Sequence, residues 1–192
     1  MQNKNIRKIS ISAVLLALGF VLSFIKIPMF TGGSITFFSM VPIVLLAYMY
    51  GTPWGLLCGG IHGLLQIIEG GLDAPPVPSA FNYFLVFMLD YLLAWALVGL
   101  AGLFRKISKN PAVCLGVGGI VGVFGRFICS TLSGILIWSV YYPEWAPGIG
   151  MLIGSAGANL LTLGPEMVIT AVGACIIGCI PYLKKIMEKE RV

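Results

Sequence analysis

Four ionisable residues interrupt long apolar runs of this chain: His62, Asp90, Arg126 and Glu166. A charge inside an apolar run is costly to bury in lipid and marks a ligand path or a paired site. Asp90 lies about two to three turns into one run, Arg126 near the middle of the next, and Asn159 about three turns into the last. Three polar groups at similar depth imply one outward-facing polar pocket. Asp90 and Arg126 have two readings: a structural ion pair, or groups that part to admit a polar ligand. Glu166 lies deeper and follows Gly164-Pro165, a break that frees backbone groups, so a structural or conformational role is expected. His62, flanked by Gly59, Gly60 and Gly63, is expected to be a packing residue facing a close helix neighbour.

Aromatic side chains gather toward the same end: Tyr83, Tyr91, Trp138, Tyr141, Tyr142 and Trp145. An interfacial belt accounts for rings in any membrane protein, and for Tyr141, Tyr142 and Trp145 that reading is at least as good as a ligand role. Trp138 follows Arg126 by twelve residues, which on an unbroken helix keeps both within about 20° of one face. It is the better candidate for stacking on a cationic ring. The loop Thr31-Gly32-Gly33-Ser34 suits either a mobile lid or a plain turn.

The elements that must hold these groups are membrane helices. Of the 192 residues, 58% are hydrophobic and 10% charged, with a mean hydropathy of +0.99. A soluble domain carries about 25% charged residues, so a water-soluble globule is excluded. A spanning helix takes about 20 apolar residues, and six runs qualify at about 9–27, 35–50, 54–68, 81–104, 112–138 and 148–182. The expected fold is a single all-α domain over 1–192, a six-transmembrane-helix bundle. The first run has no A-x-A type cleavage site and is expected to stay as an anchor.

Ten of the twelve cations cluster before the first run (Lys4, Arg7, Lys8), between the fourth and fifth (Arg105, Lys106, Lys109) and after the sixth (Lys184, Lys185, Lys189, Arg191). With six crossings these groups share one side, which the positive-inside rule makes the cytoplasm, with both termini. The pI of about 9.0 is then a topology signal, and no nucleic-acid partner is expected. Cys58, Cys114, Cys129, Cys175 and Cys179 fall inside the runs in odd number with no C-x-x-C pair; buried thiols are expected, with no metal site or cofactor. Small residues repeat at i, i+4: Ala13 and Ala17, Gly55, Gly59 and Gly63, Gly118 and Gly122, Gly154 and Ala158. Such spacing admits close helix approach, and on the first run it equally suits a partner subunit. The chain shows no G-x-x-x-x-G-K-[ST] loop and no hydrolase or metalloprotease motif, so no enzymatic activity is expected.

The chain resembles the thiamine-specific S components (ThiT family) of energy-coupling factor (ECF) transporters. The likeness rests on an ordered set over all six runs: Gly32-Gly33-Ser34 up to Pro42, Leu89-Asp90-Tyr91 leading to Gly99 through Phe104, Arg126 through Ser133-Gly134 to Trp138, and Asn159 six residues before Pro165. The resemblance implies a vitamin-binding subunit of a bacterial cell membrane, working with a transmembrane coupling protein and two cytosolic ATPases. It implies that Asp90, beside Tyr91, contacts the aminopyrimidine of thiamine. It also places Arg126 at the family's basic position, Gly134 and Trp138 in its H-x-x-x-G-x-x-x-W pattern, Ser155 and Asn159 in Y-S-x-x-x-N, and Ala13 and Ala17 on the A-x-x-x-A docking face. The chain departs from the pattern at Ser130, where histidine is expected, and at Gly154, where tyrosine is expected. Both changes remove rings that would face a cationic ligand, so a pyrimidine or thiazole precursor is an alternative to thiamine. The rivals are an S component for another vitamin (riboflavin, pyridoxine or a queuosine precursor), a stand-alone channel, or a membrane enzyme.

Overall fold

Prolines in the first helical turn, where a missing N–H costs nothing, start four of the helices in the computed structural model, which describes residues 4–29 and 32–191. The chain runs α1 (Lys4–Ser23), β1 (Lys26–Pro28), β2 (Ser34–Thr36), α2 (Val41–Tyr50) and α3 (Thr52–Gly70). A composite helix follows over 80–104: α4 (Ala80–Val86), a π-helical stretch (Phe87–Leu92), α5 (Leu93–Leu97) and a 3-10 stretch (Val98–Phe104). The chain then forms α6 (Pro111–Leu136), a 3-10 turn (Trp138–Tyr141), α7 (Ile149–Cys179) and α8 (Pro181–Glu190). Four of these helices, over 4–23, 80–104, 111–136 and 149–179, are long and apolar enough to cross a membrane.

All ten residues of α2 are buried, as expected of a helix that is apolar all round, and α1, α3, α6, α7 and the 98–104 stretch pack about it. The outward faces of α1, α6 and α7 expose Val14, Leu18, Phe124, Ile128, Val168 and Ile176. Apolar residues on the outside of the bundle as well as in its core are what a bilayer asks of a helical protein. The glycine stripe of α3 is tightly used: a Cβ at Gly59 or Gly63 would lie 2.3 Å from the carbonyl oxygen of Trp95 or Tyr91. Gly122 of α6 meets the Val98 carbonyl as closely, at 2.4 Å. The composite helix is therefore clamped on both sides, which fixes the depth of Asp90.

Three boundaries differ from the sequence expectation. α1 stops at Ser23, and Lys26–Pro28 leaves it to pair antiparallel with Ser34–Thr36, Lys26 opposite Thr36. Ile35, expected to begin a helix, lies in that hairpin, and α2 starts only at Val41. The last run divides at Ile180, where Pro181 opens α8. One end of the bundle gathers basic segments: Arg7 pairs with Glu190, and the Arg191 guanidinium bonds the Arg105 carbonyl and lies 5.0 Å over the Tyr48 ring. At the other end Lys26 pairs with Glu69 at 2.6 Å.

Candidate functional site

Asp90 sits in the π-helical stretch, where one extra residue per turn widens the helix, a feature common at functional sites. Its Oδ2 accepts hydrogen bonds from Ser133 Oγ (2.8 Å) and Trp138 Nε1 (3.0 Å). Both donors are neutral. Trp138 lies in the turn after α6, so its helix-face relation to Arg126 does not hold; the turn itself carries the indole back over Asp90. Next to it, the Tyr91 hydroxyl lies 2.9 Å from Asp73 Oδ2 and 3.0 Å from the Gly71 carbonyl. That contact ties the loop after α3 to the composite helix.

Arg126 and Asp90 do not form an ion pair. Arg126 Nη1 instead bonds Glu166 Oε2 at 3.0 Å, its guanidinium lies 4.0 Å over the Trp95 ring, and Met40 Sδ is 3.6 Å away. Glu166 is fully buried and its Oε1 accepts from both the backbone N–H and the hydroxyl of Thr36, each at 2.6 Å. The β-hairpin thus reaches down to α7, and Glu166 fastens it there. Pro165, one residue earlier in α7, lacks the N–H that would continue the helix ladder. His62 is buried against Trp95, with ring centroids 4.6 Å apart, and bonds Gln66 at 3.0 Å. It is a packing residue whose Nδ1 has no hydrogen-bond partner among the described residues.

Asn159 spans α6 and α7, its Nδ2 donating to the carbonyls of Ser130 (3.3 Å) and Ser155 (3.0 Å). Ser155 Oγ in turn donates to the Thr131 carbonyl at 2.8 Å. Gly134 makes room for this seam: a Cβ there would lie 2.0 Å from Ser155 Oγ. The Gly154 position, by contrast, is not a helix-packing site. Its bare backbone is covered by the Trp145 indole, whose Cγ, Cδ2 and Cε2 lie 2.5–2.6 Å from where a Cβ would stand.

These groups line one cavity of about 640 Å³, within the usual range for small-molecule sites. It brings together Asp90, Tyr91, Arg126, Ser130, Gly134, Trp138, Ser155 and Asn159. Gly32 and Gly33 also reach it; Gly32 has φ 86°, the left-handed conformation a turn needs, and Thr31 lies outside the described residues. Sequence reasoning missed Asp73, Ser133 and Trp95. Asp73 reads as an ordinary loop charge, and Ser133 and Trp95 as span residues; only tertiary contact reveals them.

The charges in and around the cavity sort unevenly. Lys26 is matched by Glu69 and Arg126 by Glu166. Asp73 and Asp90 have no salt-bridge partner among the described residues. The cavity is therefore arranged for a small cation with hydrogen-bonding edges and aromatic faces.

The family model described as "Thiamine transporter protein (Thia_YuaJ)" matches residues 9–186. The chain belongs to this family. Two curated relatives are similar over nearly their whole length. Thiamine transporter ThiT of Bacillus subtilis (strain 168) is 26% identical over 189 residues, 92% of each chain. Thiamine transporter ThiT of Lacticaseibacillus paracasei is 26% identical over 197 residues, covering 90% of this chain and 95% of the relative. The fold matches the solved structure of ThiT from Listeria monocytogenes with a TM-score of 0.70 at 21% identity, over 99% of this chain and 100% of that one. It also matches a structure of the S component of a bacterial ECF transporter with a TM-score of 0.55 at 23% identity, over 97% and 99%.

In this Thia_YuaJ member Ser155 and Asn159 join α7 to α6, and Ser133 turns to Asp90. At Ser130 it presents a hydroxyl-bearing residue to the cavity where the resemblance called for a ring.

Proposed function

We propose that this chain is the thiamine-binding S subunit of an ECF-type importer in a bacterial cell membrane. It would take thiamine or a close precursor from the outer side while partner subunits supply ATP hydrolysis. The observation that carries this reading is Asp90, a carboxylate held by two neutral donors in a cavity whose cations are already paired. A carboxylate so placed has no counter-ion among the described residues, and its bonds to an aminopyrimidine would be charge-assisted. Trp138 would supply a ring face, and Asn159 and Ser155 a polar edge. Arg126, occupied by Glu166, would shape the floor.

In this reading the six helices α1, α2, α3, 80–104, α6 and α7 all cross the membrane, with both termini cytoplasmic. α1 would carry the contact with the transmembrane coupling protein. Its Ala13 and Ala17 are exposed among the apolar residues Ile9, Val14, Leu18 and Val21, a small-residue surface of the kind that lets helices approach closely. Transport would follow reorientation of the bundle against that partner, powered by two cytosolic ATPases.

Purified protein titrated with a vitamin panel, read by tryptophan quenching and native mass spectrometry, tests the ligand. Thiamine should bind most tightly; tight binding of riboflavin, pyridoxine or a queuosine precursor without thiamine binding sinks the assignment. For the partner, Ala13→Trp should spare ligand binding and abolish uptake in cells. Normal uptake would move the docking face elsewhere.

A further inference from the structure

The four aromatic residues of the segment 138–145 are not equivalent. Trp138 is committed to Asp90 through its Nε1, and Tyr141 stacks on Trp138 with centroids 6.3 Å apart. Tyr142 and Trp145 form a second unit, their rings 4.3 Å apart and inclined by 5°. Both line the cavity. The indole of Trp145 rests on the bare backbone of Gly154: three of its ring atoms are nearly equidistant, at 2.5–2.6 Å, from the place a Cβ would take. A side chain at 154 would therefore evict the indole. An interfacial belt places rings toward lipid headgroups, whereas this pair lines the cavity, seated on α7 at Gly154, together with Asp73 and Asp90, which have no salt-bridge partner among the described residues.

We infer that the Tyr142–Trp145 pair, seated on Gly154, is an aromatic wall of the ligand cavity that contacts the positively charged ring of the bound vitamin. The inference rests on the thiamine reading above. A paired aromatic surface in one cavity with those two carboxylates is suited to a cationic heteroaromatic ring, through stacking and the attraction of a cation to a π face. The wall works through ring area, so the Tyr142 hydroxyl contributes little to it.

The test is thiamine affinity, by tryptophan quenching or calorimetry, together with the melting temperature of the unliganded protein. Trp145→Ala, Tyr142→Ala and Gly154→Leu should each weaken thiamine binding about tenfold. Trp145→Phe and Tyr142→Phe should stay within about threefold, and none of the five should lower the unliganded melting temperature by more than a few degrees. Affinity within twofold of wild type in both alanine variants overturns the inference. So does a loss of affinity that tracks a fall in melting temperature, or one that phenylalanine fails to rescue, because the pair would then be packing alone. Wild-type protein that ignores thiamine refutes the functional reading itself, and the wall falls with it; wild-type binding with unaffected variants refutes only the wall.

Discussion

Two carboxylates, Glu166 of α7, buried behind Arg126 at the floor of the cavity, and Asp90 of the composite helix, on its wall, are treated in opposite ways. Glu166 has a cation at 3.0 Å and two further donors at 2.6 Å. Asp90 has a hydroxyl and an indole N–H and no salt-bridge partner among the described residues. An ion removed from water with all its partners in place is a fixed strut, whereas one left with neutral donors still lacks a counter-ion. The floor is therefore closed chemistry, and the wall is open.

The comparison breaks most visibly at the floor. Glu166→Ala leaves Arg126 buried without its counter-charge and frees Thr36, and should cost about 3–5 kcal/mol. In detergent that lowers the melting temperature by on the order of 10 °C. An unchanged melting temperature with lost thiamine binding would make Glu166 a ligand residue and erase the contrast. Asp90→Asn should do the reverse: near-normal stability, with thiamine affinity reduced tenfold or more through loss of a charge-assisted bond of about 1.5–3 kcal/mol. Unchanged affinity removes Asp90 from the site. The smallest effect is expected of Trp138→Phe, which keeps a ring but deletes one donor to Asp90. A cost of about 1 kcal/mol, roughly fivefold in affinity, follows; a loss as large as that of Asp90→Asn would mean that the indole N–H, rather than the charge, governs binding.

The same contrast marks how far the sequence could be read. Asp90 and Arg126 stand out because charge is rare in apolar runs, and the long helices over 80–104, 111–136 and 149–179 follow from the length of those runs. The pairing of Arg126 was not legible. It depends on Pro165 and the fold of α7 bringing Glu166 across to α6, a contact 40 residues apart in the chain. The β-hairpin was hidden for a related reason. Ile27 and Ile35 read as ends of the flanking apolar runs, the strands Lys26–Pro28 and Ser34–Thr36 are too short to show alternation, and the partner that anchors Thr36, Glu166, is 130 residues away. Trp145 was visible as an aromatic residue, but its seat on Gly154 exists only once the turn after α6 has folded back.

The π-helical stretch over Phe87–Leu92 gives the composite helix an angular phase of its own. Each residue inserted or removed in an α-helix rotates everything beyond it by about 100°. Tightening this stretch into ordinary α-helix with no residue removed would leave α4 where it is and turn the rest. Either Asp90 would swing away from Ser133 and Trp138, or Trp95 and Val98 would lose their register with Gly59 and Gly122. The phase of everything beyond Leu92 thus depends on the widened turn being kept, which the apolar composition of the segment does not suggest.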